Sequence, residues 1–152
     1  TPERKPVEQP TFPKAVFENV RPGDFAIEVT DFGPIYIVKP NEEIWDGLER
    51  IAPRTRTPTY ETYNPDLDVF IVWGVYGSCM MQIFPKGYDE SLNQWEGGFY
   101  DSCRDLYFDF SGRVLDLPQD QAEPNLRAPR YEPAGSDLYR ILEPDPFEHL
   151  RR

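Results

Sequence analysis

The chain of 152 residues has one histidine and two cysteines. The ligands of most transition-metal sites and the base of most Ser–His or Cys–His catalytic pairs are therefore scarce. A hydrolytic Ser–His pair would have to recruit His149, close to the C-terminus. No run approaches the ~20 apolar residues of a membrane span, and no Gly-rich phosphate loop, N-x-S/T sequon, internal repeat or low-complexity tract is present. Basic residues are short as well: Lys and Arg total 16 against 27 Asp and Glu, for a net charge of −11. Such a surface is wrong for phosphate backbones and excludes nucleic acid as the expected partner. It permits a basic protein partner, although acidic chains are common and solubility is the more ordinary account of it. The start at Thr1, with no charged-then-apolar signal segment, is expected of a processed chain or of one lacking its anchor.

What is abundant is aromatic and angular. Ten Phe, nine Tyr and three Trp supply bulky rings for a core, and 17 prolines with 10 glycines call for short elements and many turns. The length fits one domain. Residues 1–15 form an expected extended arm: Thr1 to Lys14 has four prolines with only Val7 and Phe12 as apolar anchors. Val16–Val20 reads as a short strand closed by Arg21-Pro22-Gly23-Asp24. Phe25–Val29 and Ile35–Val38 flank Asp31-Phe32-Gly33-Pro34 as an antiparallel hairpin. Asn41 caps the one convincing helix, with Glu42 and Glu43 in its first turn and Ile44, Leu48 and Ile51 on one stripe before Pro53 ends it. Asp68–Trp73 is apolar without alternation, as in a strand buried on both faces. Short strands are expected at Gly97–Tyr100 and Leu106–Asp109, with a turn at Pro85–Tyr88 and another at Phe110–Arg113. Arg130–Glu132 and Asp137–Leu142 would close the sheet, and 143–152 is a peripheral tail. The sum is an all-β domain of antiparallel strands with one inserted helix.

Both cysteines fall within Trp73–Val114, in W-G-V-Y-G-S-C-M and in G-G-F-Y-D-S-C-R-D-L-Y-F-D-F-S-G-R-V. Two loops that each bring one cysteine favour an oxidising compartment. These stretches, together with Gly33–Val38, Phe70–Gly74, Pro124-Asn125-Leu126 and Pro129-Arg130-Tyr131, resemble the Rieske iron–sulfur subunit of ubiquinol–cytochrome c oxidoreductase, the cytochrome bc complex. The resemblance spans residues 16–142. It implies an antiparallel β-sandwich of short strands with one inserted helix and a small cluster-binding-type subdomain over 73–114.

The departures from the family pattern matter more than the matches. The family holds a [2Fe–2S] cluster through C-T-H-x-G-C and C-P-C-H-G-S, with two cysteine and two histidine ligands and a disulfide between the remaining cysteines. Here the first loop is Gly74-Val75-Tyr76-Gly77-Ser78-Cys79, with Val75 and Gly77 in the ligand region. In the second, Asp101 stands for the ligand cysteine and Arg104 for the ligand histidine. Leu106 replaces a hydrogen-bonding serine and Phe108 a tyrosine. Arg104 has no lone pair to offer a metal and is expected to pair with Asp101 and Asp105.

The resemblance puts Cys79 and Cys103 on the disulfide positions, and by the loop-entropy relation such a bridge is worth roughly 3.5 kcal/mol. The residues alone leave two unpaired buried thiols or a redox-active pair open, the latter without a C-x-x-C spacing. Asp101, Asp105, Asp109 and Asp116 lack the calcium-loop pattern, His149 lies outside both loops, and the aromatic groups at Tyr60/Tyr63 and Phe99/Tyr100/Tyr107/Phe108 read as packing. The resulting expectation is no cofactor, metal, small-molecule substrate or catalytic residue. The implied role is a non-redox accessory subunit among the protein subunits of a membrane-bound respiratory complex. It would face the mitochondrial intermembrane space or bacterial periplasm. The alternatives are an iron–sulfur electron-transfer subunit with unusual ligands and an acidic periplasmic module that binds a c-type cytochrome.

Overall fold

The computed structural model of the chain describes residues 8–76, 79–84, 95, 97–118, 121 and 125–145. The strands are β1 (Thr11–Pro13), β2 (Phe25–Thr30), β3 (Gly33–Val38), β4 (Tyr63–Asn64), β5 (Val69–Trp73), β6 (Val75–Tyr76), β7 (Cys79–Met80), β8 (Gln82–Phe84), β9 (Gly98–Asp101), β10 (Leu106–Phe108), β11 (Tyr131–Pro133) and β12 (Leu138–Ile141). The helices are α1 (Ala15–Asn19) and α2 (Glu42–Ile51). Every strand pair among them is antiparallel, so the fold is all-β with one substantial helix.

The central sheet runs β2-β3-β5-β4. Its inner strands are covered on both faces, which is why Ile35–Val38 and Val69–Trp73 are continuous apolar runs rather than alternating ones. Tyr36, Val38, Phe70 and Val72 point to one side, against Ile44 and Leu48 of α2 and Phe99 and Phe108 of the β8-β9-β10 sheet. Ile35, Ile37, Val69, Ile71 and Trp73 point to the other, against Phe12, Phe17, Phe32 and Ile141. That second face is closed by a separate sheet, β1-β12-β11, with α1 beside it. The Asn41 side chain accepts from the Ile44 N–H at 2.9 Å, capping α2 as its sequence requires.

Two expectations fail for physical reasons. Val16–Val20 is not a strand but part of one helical turn, because one turn aims the Phe17 ring at Phe12, Tyr131 and Tyr139. Pro22 then bars continuation by restricting Arg21 to extended backbone. The strands near 131–133 and 138–141 do not close the central sheet. They pair with each other and with β1, Thr11 opposite Arg140. Residues 11–13, expected in an extended arm outside the core, therefore carry a core ring: Phe12 is 1% exposed. The turn expected at Pro85–Tyr88 lies outside the described residues.

One buried ion pair fastens the layers. Asp109 and Arg113 pair through Nε and Oδ2 at 2.7 Å, with side chains 1% and 3% exposed. The other carboxylate oxygen accepts from the Ser111 N–H, the Ser111 hydroxyl and the Arg113 N–H at 2.9, 2.6 and 3.0 Å. Arg113 donates onward to the carbonyls of Thr57 and Leu48 and lies 4.5 Å over the Tyr60 ring. Burial pushes the Asp109 carboxyl up, while Arg113 and Ser111 pull it back down. Arg113→Met strands the carboxylate in the core and is expected to cost about 3–5 kcal/mol. The double variant Asp109→Asn/Arg113→Met should regain part of that loss, and urea unfolding of both measures it.

Candidate functional site

The two cysteine loops meet at one end of the molecule. Loop one is anchored where Gly74 leaves β5. Its N–H donates to the Pro34 carbonyl at 2.8 Å and its carbonyl accepts from Met81 at 2.7 Å. Any side chain at Gly74 would collide with the Tyr36 ring, 2.5 Å from where a Cβ would lie. The Tyr36 hydroxyl in turn donates to the Met81 carbonyl at 2.7 Å inside the core, and burial raises its pKa. From there β6 and β7 pair as Val75↔Met80 and Tyr76↔Cys79.

Loop two is the four-residue turn between β9 and β10, fixed by the pair Asp101↔Leu106. Two features shape it. Gly98 has φ +140° and would place a Cβ 2.1 Å from the Phe108 carbonyl oxygen, so only glycine lets β9 start this close to β10. Asp105 takes the left-handed conformation at φ 55°, which a short polar side chain tolerates. The Asp101 carboxylate accepts from the Cys103 N–H at 3.1 Å, an Asx-type turn that bends the chain toward its partner loop. Cys79 and Cys103 are joined in a disulfide, their α-carbons 6.2 Å apart.

The sequence-derived positions come together only in part. Val75 is buried with its apolar side chain in the fold, and Asp101 is 0% exposed. Arg104 is exposed, with its guanidinium carbon 5.2 Å over the Tyr76 ring, a cation–π contact. Gly77 and His149 lie outside the described residues. Asp105 accepts a 2.6 Å hydrogen bond from the Tyr100 hydroxyl. The donor atoms of Cys79, Asp101 and Cys103 lie within 4.8 Å of one another, but both sulfurs are committed to the disulfide. Disulfide sulfurs are not the thiolates that metals require. A methyl-bearing Val75, a carboxylate and a guanidinium do not match the donors of a [2Fe–2S] centre.

The four acidic residues do not converge on a cation either. Asp109 is spent on Arg113 and Asp116 on Arg54, which holds the Asp116 carboxyl below its usual range. The gap beside α2 offers about 10 Å³, room for a water at most. The aromatic groups do pack: Trp45 meets Tyr60 and Tyr63 edge-on at 5.3 and 5.1 Å, and Tyr100 lies 4.7 Å from Tyr107. The main miss was the Asp109–Arg113 pair. Its signal was present as D-x-S-x-R, an Asx turn followed by a cation four residues on. Among the described residues, no helix is long and apolar enough to cross a membrane.

Two outcomes follow from this end of the molecule. Cys79→Ser/Cys103→Ser should lower unfolding stability by about 3.5 kcal/mol, the loop-entropy value for a 24-residue separation, read from denaturant titration. The Asp105 hydrogen bond raises the Tyr100 hydroxyl to about 12. A raised pKa favours the neutral form, so its stabilising effect is complete below the ordinary value near 10 and lost as pH climbs toward 12. In Asp105→Asn, ultraviolet titration should show Tyr100 ionising at lower pH. Compared with known proteins, the chain matches no protein-family model and no curated protein.

Proposed function

We propose that this chain is a non-redox accessory subunit of a respiratory membrane complex, a Rieske-like domain without its cluster that is retained for its protein contacts. The observation that carries the reading is the disulfide between two loops whose ligand positions hold the wrong chemistry. Cys79 and Cys103 remain as a staple, while Asp101 shapes the turn and Arg104 packs over Tyr76. A bridge that stabilises the fold by a few kcal/mol is worth keeping without a metal. The assignment to the cytochrome bc complex, and to the intermembrane-space or periplasmic side, rests on the sequence resemblance. The exposed turn Ser102–Asp105 and Met80, 55% exposed, are the contact surface that this end offers.

A tagged chain isolated from its native membranes is expected to elute with subunits of such a complex and to be colourless and iron-free. A monomer without partners would sink the accessory role, and visible absorption with bound iron would restore the electron-transfer reading. The net charge of −11 favours a second reading, a module that docks a basic c-type cytochrome. On immobilised cytochrome c that reading requires retention that falls steeply between low and physiological salt, and salt-independent retention contradicts it.

A further inference from the structure

Strand β2 lies at an edge of the central sheet, with β3 on one side and no strand on the other among the described residues. Its outward row is apolar: Phe25, Ile27 and Val29 are 40%, 47% and 76% exposed. They share the face of Tyr36 and Val38, but the layer that buries those two stops short of β2. The ladder fixes which backbone groups are open. Lys39 donates across the pair to the Asp24 carbonyl, and antiparallel alternation then turns residues 26, 28 and 30 toward β3 and 25, 27 and 29 outward. Pro34, opposite Val29, fits this phase because no N–H is needed there. Asp24 takes the Phe25 N–H with its own carboxylate. Ile27 and Val29 thus present amide and side chain together at one edge.

A concavity of about 400 Å³ opens between residues 8–11 and the end of β2 at Val29–Asp31. Glu8 and Asp31 line it, and the described lining includes no Lys or Arg. Edges this long and apolar are usually blocked by charge or a bulge. Here Asp24 and Asp31 sit at the ends and the one mid-strand charge, Glu28, projects to the opposite face, which leaves the Phe25, Ile27 and Val29 row without charge. We propose that β2 is a docking strand for an extended segment of a partner protein that alternates apolar with basic residues. The segment would add to the sheet along Ile27 and Val29 and place a Lys or Arg in the Glu8/Asp31 concavity. Charge complementarity selects this occupant over a second copy, since two chains of −11 each would bring like-charged strand ends together. The inference rests on the accessory-subunit reading and names one of its contact surfaces.

The test uses the whole chain and a fluorescent synthetic peptide that alternates Val with Lys, with a counterpart that alternates Val with Glu. Anisotropy should show the Lys peptide binding and the Glu peptide not, with binding weakened by added salt. Ile27→Pro removes one outward N–H but no β2–β3 bond, so the thermal melt should survive while affinity falls at least tenfold. Val29→Lys leaves the backbone intact and sets a cation beside the concavity, with a similar loss expected. The inference is overturned if the Lys peptide does not bind, or binds both variants as it binds the unaltered chain. It is overturned too if sedimentation shows a dimer that Ile27→Pro dissolves, since the occupant is then a second copy. Isolation from native membranes separates the two readings. If the unaltered chain and Ile27→Pro carry the same subunits, the accessory role stands and docking on β2 does not. If the unaltered chain elutes alone, the accessory role fails, and the peptide result decides the docking strand by itself.

Discussion

The ion pair between Asp109 and Arg113 is the constraint on which the rest of the structure depends. It lies where the β10 chain turns back, and Arg113 reaches from that turn to the Leu48 carbonyl of α2 and the Thr57 carbonyl of the following connection. Asn125 extends the network, bonding the Thr57 hydroxyl and the Val114 N–H. A charge this deep is tolerable only because its hydrogen-bonding capacity is met on every side. The pair therefore works less as an energy source than as a register mark. It fixes the β8-β9-β10 sheet against the helix, and with it the place where the second cysteine loop emerges.

From that fixed point the geometry of the loops follows from close packing. Tyr36 stands under Gly74, where loop one leaves β5, and the Phe108 carbonyl stands under Gly98, where β9 enters beside β10, so no side chain fits at either place. The disulfide then closes a gap that the sheets have already narrowed. This end of the molecule is organised around packing and a covalent tie. Its polar groups are used for turns and caps rather than aimed at a common point.

Much of this was legible beforehand. The helix was marked by Asn41, two acidic residues and one apolar stripe, all local signals that the structure uses as written. The inner strands were legible because burial on both faces leaves no polar residue to interrupt them. The failures came where a segment answers to distant partners. Phe17 has a helical backbone because three rings from 12, 131 and 139 surround it, and nothing within Val16–Val20 encodes those rings. Phe12 looked isolated among prolines for the same reason. At the cysteine loops, residue types could be weighed as ligands, but the turn built by Asp101 and the stacking of Arg104 on Tyr76 depend on neighbours from another loop.

The pairing of β1 with β12 also has a meaning in time. Thr11 lies opposite Arg140, so one side of the core is closed by residues separated by most of the chain. During synthesis the first of these would wait, with Phe12 and Phe17 uncovered, until residues 138–141 had emerged. Contacts of such long range fold slowly, and an unfinished chain exposes the apolar surface that chaperones bind. The central sheet and helix can form from residues 25–73, but the molecule is sealed only when its last strand arrives.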